Sequence, residues 1–194
     1  MGTPNRPVSL NNPDLANWPS QTQANQGEPA VHPVLASQAD QPSVMSQLQI
    51  TYYTDPLCSW SWAFEPQWRR LRDTFGEQIT WSYCMGGLIV DWQQYNDPLN
   101  DISRPVQMGP QWFQVQALSG MPFNERIWYT DPPASSYPAC LAVKAAERQG
   151  LFIGEIYLRR LREAVMLEQR NISRRDVLSA VAQEVAIAYP PFDA

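Results

Sequence analysis

Basic runs are absent from this chain of 194 residues, and their absence argues against a nucleic-acid partner. Lysine and arginine together number 14 against 19 acidic residues, which gives a formal net charge of −5. The densest basic groups, at residues 159–162 and 174–175, lie in helical patterns beside acidic residues, so we expect solvated helix faces there. A nucleic-acid site needs clustered cations that displace phosphate counterions. The sequence therefore predicts no nucleic-acid partner.

Long apolar runs are also absent. No stretch approaches the roughly 20 apolar residues that a transmembrane helix needs. The N-terminus has neither the basic region nor the apolar region of a secretory signal. Three cysteines, an odd number without repeated spacing, argue against a disulfide framework. We therefore predict a cytoplasmic location and no membrane partner.

Histidine occurs once, as His32, and no metal-ligand spacing or phosphate-binding glycine loop is present. His32 lies in residues 1–46, a segment with seven prolines, only four charged residues and isolated apolar positions. Such a segment cannot bury enough apolar surface to offset the entropy lost on ordering. The sequence predicts a disordered Pro/Gln-rich tail over residues 1–46, no metal site and no bound cofactor.

The remaining chain is rich in core-forming residues, since the whole sequence has 8 Trp, 8 Tyr and 6 Phe and all but Trp18 lie after residue 46. Residues 48–54 alternate β-branched and aromatic side chains, which predicts a strand. Residues 59–75 have apolar positions at helical spacing, and residues 79–85 predict a second strand before Gly86 and Gly87. Strand, helix and strand in under 40 residues indicate a βαβ unit with parallel strands over residues 47–90.

Residues 91–194 have a different pattern and predict a helical domain. Helices are expected near residues 108–118, from 137 to 150, from 154 to about 169 and from 173 onward. Ser173 and Asp176 resemble a capping box at the start of the last of these helices.

Cys58 is the candidate reactive residue. It directly follows the first strand at the start of the predicted helix, where backbone N–H groups are unpaired and the helix dipole is positive. Both effects favour the thiolate over the thiol, so we expect Cys58 to be nucleophilic. Cys84, on an apolar strand, and Cys140, on an alanine-rich helix face, are expected to be core thiols.

The segment Asp55-Pro-Leu-Cys-Ser-Trp-Ser-Trp-Ala-Phe-Glu65 resembles the active site of a bacterial subfamily of DsbA-like oxidoreductases, in which Cys-Ser-Trp-Cys-Trp follows the first strand. Residues 85–88 and 135–150 also fit this subfamily, and the resemblance covers residues 48–190. It implies an α/β thioredoxin-like fold with an inserted α-helical domain. The family continues with a cis-proline half, and we expect this chain to be truncated before that half.

The resemblance implies a thiol–disulfide oxidoreductase that exchanges protein disulfides with Cys58 as its nucleophile. Ser61 occupies the position of the second, resolving cysteine, so we expect monothiol or impaired activity, with Ser61 beside the Cys58 sulfur. Trp60 and Trp62 flank the motif and are predicted to form an apolar rim for a disulfide- or thiol-bearing protein or small molecule.

Two alternatives remain open at this point. The first is a glutathione-dependent isomerase or transferase like the kappa-class enzymes, with glutathione as co-substrate and Ser59 or Ser61 holding its thiolate. The second is a non-enzymatic thioredoxin-like adaptor or a degenerate fragment.

Overall fold

The computed structural model describes residues 47–185, so the tail predicted over residues 1–46 lies outside the described residues. The order is β1 (Leu48–Thr54), α1 (Ser59–Phe75), β2 (Ile79–Met85), a 3₁₀ turn (Pro105–Gln107), α2 (Met108–Ser119), α3 (Ile127–Thr130), α4 (Tyr137–Glu147), α5 (Leu151–Met166) and α6 (Arg175–Glu184). A strand–helix–strand unit is thus followed by a block of helices, which confirms the predicted thioredoxin-like α/β fold class. The domain boundaries at residues 46 and 90 stay a prediction.

The two strands pair in parallel, from Leu48 opposite Ile79 to Thr54 opposite Met85. The side chains of Tyr52 and Tyr83 share the sheet face that α1 covers, because both rings contact the ring of Trp68 in that helix. Alternate residues of β1 point to the opposite face and are exposed. The alternation that predicted these strands therefore reflects a sheet packed mainly on one side.

Helix α5 carries much of the buried apolar surface. Tyr157, Leu158, Leu161 and Val165 recur at helical spacing, and each is almost completely buried. The tyrosine hydroxyl donates a 2.8 Å hydrogen bond to the carbonyl of Leu178 in α6. This apolar face explains why the sequence pattern predicted a helix here.

Glu155 of α5 joins the helical block to the βαβ unit. Its Oε1 atom accepts hydrogen bonds from Trp81 Nε1 at 2.8 Å, from the Tyr83 hydroxyl and from the guanidinium of Arg72. The guanidinium also lies over the indole rings of Trp68 and Trp81, 5.6 and 5.1 Å from their centroids. Burial, with the charge of Glu155 second, raises the pKa of Tyr83, so its hydroxyl remains a donor. The Glu155 carboxylate therefore connects α5 to both α1 and β2 through hydrogen bonds.

Two local predictions were wrong. The capping box at Ser173 does not form: α6 begins after Arg174, and Ser173 instead accepts a hydrogen bond from the Ala134 N–H and donates one to Asn171. Ser173 therefore stabilises the loop before α4, a contact distant in sequence. Helix α5 starts at Leu151 rather than at Gly154. Gly150 precedes it with a φ of +146°, a conformation that favours glycine.

Candidate functional site

Cys58 lies at the turn between β1 and α1. It is the N-cap residue of α1, with its N–H bonded to the Asp55 carbonyl at 3.1 Å. Its Sγ atom accepts a hydrogen bond from the backbone N–H of Ser61 at 3.4 Å, and its carbonyl accepts one from Trp62 at 3.1 Å. The thiol is half-buried. The sulfur therefore caps one of the N–H groups that a helix start leaves unpaired.

The side chain of Asp55 accepts hydrogen bonds from this turn and from two other segments. The residue is only 3% exposed. Its Oδ1 atom accepts the Leu57 N–H at 2.8 Å, and its Oδ2 atom accepts the Leu88 N–H at 2.7 Å and the Cys140 thiol at 3.2 Å. The carboxylate thus joins the turn, the loop after β2 and helix α4.

Trp60 and Trp62, which were predicted to form an apolar rim together, have different exposures in the structure. Trp60 is 50% exposed, whereas Trp62 is 2% exposed and its Nε1 donates to the Pro122 carbonyl at 3.0 Å. The Arg159 guanidinium covers the Trp62 ring at 4.9 Å. Residues two apart on a helix point about 200° from each other, so both indoles cannot face one ligand. The substrate-binding role of Trp60 stays a prediction.

Ser61 is buried in the first turn of α1. Its backbone N–H donates to the Cys58 sulfur at 3.4 Å. The catalytic roles proposed for Cys58 and Ser61 stay predictions.

The other two cysteines have different surroundings. Burial, followed by the charge of Asp55 and their hydrogen bond, raises the pKa of Cys140 to about 12, so its thiol stays protonated. Cys84 is half-buried and lies opposite Tyr53 in the strand register, on the face away from α1. All three cysteines are free.

Two residues were missed or misjudged from the sequence. Burial, followed by the charge of Asp97, raises the pKa of Tyr95. No motif in residues 91–135 marked this tyrosine. Arg162, expected on a solvated face, is 1% exposed and bonds to Glu65 at 2.9 Å and to the hydroxyl of Thr54. Its charge is tolerated inside because a carboxylate and a hydroxyl compensate it.

Exposed apolar side chains lie on the segments that meet at this turn. We define the Cys58-side surface as Trp60 of α1, Leu88 and Val90 of the loop after β2, and Tyr137 and Leu141 of α4, all exposed. Two hydrogen bonds join the loop to Ser136, the residue before α4. The Ser136 N–H donates to the Ile89 carbonyl, and the Ile89 N–H donates to the Ser136 hydroxyl.

Next to this surface is a cavity of about 220 Å³, lined by Met85, Gly86, Gly87, Tyr137, Cys140, Leu141 and Lys144. The Tyr137 ring packs directly on Gly87, where a Cβ atom would come within 2.8 Å of it. Within the described residues, no group of three histidine, cysteine, aspartate or glutamate side chains is placed to hold a metal ion. No helix in residues 47–185 is long and apolar enough to cross a membrane.

A parallel βαβ unit with a cysteine capping the intervening helix, followed by a helical block, defines a thioredoxin-like protein. The chain belongs to a thioredoxin family, whose profile matches residues 52–194.

Solved structures share this fold. A putative protein disulfide isomerase from Nitrosomonas europaea superimposes with a TM-score of 0.60 at 22% identity, over 75% of this chain and 70% of that chain. The cytosolic disulfide reductase DsbM from Pseudomonas aeruginosa, solved with GSH, gives a TM-score of 0.55 at 24% identity, over 72% and 66%. At these identities the likeness concerns the fold.

The curated proteins that are similar in sequence are named as adaptor proteins. The ClpXP adapter protein SpxH of Halalkalibacterium halodurans is 32% identical over 145 residues, which is 75% of this chain and 47% of the relative. SpxH of Bacillus subtilis is 29% identical over 147 residues, with shares of 75% and 47%. The chain thus spans about half the length of the curated relatives it matches. These relatives are named as adaptors, so our main functional prediction, a thiol–disulfide oxidoreductase, was wrong, and the adaptor alternative is better supported.

Proposed function

We propose that this chain is a non-enzymatic, thioredoxin-like adaptor that binds a protein partner through the Cys58-side surface. The observation that carries the proposal is the similarity to SpxH adaptors over three quarters of the chain. We further propose that the chain is a divergent relative of the DsbA-like proteins with a Cys-Ser-Trp-Cys motif, in which Ser61 stands at the second cysteine.

The chemistry of the turn supports binding rather than turnover. A dithiol exchanger releases its mixed disulfide with a second thiolate. The residue in that position is Ser61, whose hydroxyl cannot form a disulfide. Cys140 is held protonated against Asp55, and Cys84 lies on the sheet face away from α1. The scaffold of a thiol enzyme is therefore present without a second sulfur at the motif.

The exposed side chains support a protein partner. Protein interfaces are centred on buried aromatic and aliphatic anchors, and tryptophan and tyrosine contribute most often. Trp60 and Tyr137 offer such anchors, with Leu88, Val90 and Leu141 as apolar neighbours. By analogy with the adaptor relatives, we propose that the partner is ClpX of the ClpXP protease.

Glutathione and other cofactors are not part of this proposal. In the transferase alternative, Ser59 or Ser61 would hold the glutathione thiolate. Both residues are buried, 4% and 7% exposed, which counts against a role in contacting a soluble thiol.

The proposal is tested by measuring binding to purified ClpX of Bacillus subtilis by fluorescence anisotropy. We expect saturable binding that Trp60→Ala weakens about tenfold or more, because anchor residues are commonly worth about 2 kcal/mol. Phe113→Ala is the matched control, since Phe113 is an exposed aromatic residue on α2 outside the Cys58-side surface, and its binding should equal that of the unaltered chain. Absence of binding, or equal loss in both variants, contradicts the proposal.

A further inference from the structure

The buried carboxylate of Asp55 has three hydrogen-bond partners in the described residues, and all three are neutral donors. Leu57 N–H comes from the Cys58 turn, Leu88 N–H comes from the loop after β2, and the Cys140 thiol comes from α4. The contacts are 2.8, 2.7 and 3.2 Å long. Segments 85 residues apart in sequence therefore converge on one side chain.

We propose that Asp55 is the residue that positions the Cys58 turn against the loop after β2 and helix α4, and thereby assembles the Cys58-side surface. Trp60 follows the turn, Leu88 and Val90 belong to the loop, and Tyr137 and Leu141 flank Cys140 on α4. The loop and α4 are also joined by the hydrogen bonds between Ile89 and Ser136, and the carboxylate adds the Cys58 turn to them while it holds its three donors. The consequence for partner binding rests on the proposed adaptor function, whereas the positioning itself does not.

The three hydrogen-bond donors explain why position 55 needs an aspartate rather than an asparagine. An ionised carboxylate accepts at both oxygens, and hydrogen bonds to a charged acceptor are roughly twice as strong as neutral ones. An asparagine of the same shape accepts at one atom only. Its NH₂ group would face the N–H of Leu57 in one orientation and the N–H of Leu88 in the other. Either way one buried backbone N–H loses its acceptor.

Cys140 completes the arrangement in the role of donor. Burial and the neighbouring carboxylate keep its thiol protonated, so it donates to Asp55 throughout the physiological pH range. A hydroxyl in the same place could also donate, whereas a methyl group could not. Cys140→Ser and Cys140→Val are therefore a matched pair that separates hydrogen bonding from packing.

The experiment combines amide hydrogen exchange by NMR with iodoacetamide labelling of Cys58, located by peptide mass mapping, on the full chain. In Asp55→Asn we expect exchange at Leu57 or Leu88 to become about tenfold faster, since one lost hydrogen bond is worth about one factor of ten. Labelling of Cys58 should accelerate because a loosened turn exposes its half-buried thiol. Exchange at Leu161 and Val165, in the core of α5, should stay unchanged.

Uniform acceleration that includes Leu161 and Val165 would show a general loss of stability and overturn the positioning role, as would unchanged exchange and labelling. If Asp55→Asn does not fold, the cysteine pair decides. Cys140→Val should accelerate exchange at Leu88 while Cys140→Ser leaves it as in the unaltered chain, and equal behaviour of the two overturns the proposal.

Binding to ClpX separates this inference from the proposed function. An unaltered chain that does not bind overturns the adaptor proposal and leaves the exchange results standing. An Asp55→Asn variant with a loosened turn that still binds like the unaltered chain overturns the dependence of the Cys58-side surface on Asp55.

Discussion

At the scale of single residues, Cys58 acts in this structure as a helix cap. Its Sγ accepts the Ser61 N–H at 3.4 Å, and sulfur is a weak acceptor. Cys58→Ala should therefore lower the free energy of unfolding by about 0.5 kcal/mol, the low end for a lost N-cap. Cys58→Ser should preserve or raise it, because serine is a strong N-cap residue. Urea unfolding at neutral pH measures both, and equal stability of the two variants would contradict the capping role.

Cys140 links stability to pH. Its pKa is raised by burial to about 12 in the folded chain, so on raising the pH the thiol of the unfolded chain ionises first. The stability contributed by the protonated thiol is complete below the pKa of a free thiol, about 8.5, and is lost as the pH rises toward 12. We expect the unfolding free energy to fall more steeply with pH, above about pH 9, in the unaltered chain than in Cys140→Ser. Parallel pH profiles from urea unfolding would contradict this.

At the scale of elements, Glu155 holds α5 to α1 and β2. Glu155→Ala would leave the buried guanidinium of Arg72 without its carboxylate, and breaking a buried ion pair typically costs about 3 kcal/mol or more. Glu163→Ala is the control on the same helix, because Glu163 pairs with Arg159 at a partly exposed site and should cost less than about 1 kcal/mol. Urea unfolding compares them, and similar losses would show that the Glu155 contacts contribute little.

The prediction that residues 159–162 form a solvated helix face was wrong for one of the three arginines. Arg159, Arg160 and Arg162 look alike in sequence, yet Arg162 alone is buried, against Glu65 and Thr54. Arg160 instead pairs with the partly exposed Glu168 and Glu184. The three residues lie within about one turn, so the difference depends on which face of α5 packs against α1 and β1.

At the scale of the whole molecule, the adaptor proposal implies no redox turnover. With serine at the second motif position, the chain should reduce insulin disulfides, in the presence of dithiothreitol, no faster than Cys58→Ser does. The two proteins should differ by less than the scatter of the turbidity assay. A clear Cys58-dependent acceleration would contradict the non-enzymatic assignment.

Much of the local structure could be predicted because it depends on local chemistry. Alternation in Leu48–Thr54 and Ile79–Met85 specified two strands, helical spacing in α1 specified the crossover, and the position of Cys58 after a strand placed it at a helix start. The predicted start of α6 was wrong, because Ser173 accepts a hydrogen bond from the distant Ala134 instead of capping the helix.

The sequence by itself determined the parallel βαβ unit and the cysteine at the helix start, because both follow from residue type and short-range spacing. That Ser61 stands in place of a second sulfur is implied by the resemblance to DsbA-like oxidoreductases. Only the tertiary structure decided that Trp62 is buried, that Arg162 is paired inside, and that Asp55 joins three segments. These properties depend on which residues meet across large sequence separations, such as Asp55 and Cys140. No periodicity encodes such contacts, since they arise when the helical block packs against the βαβ unit.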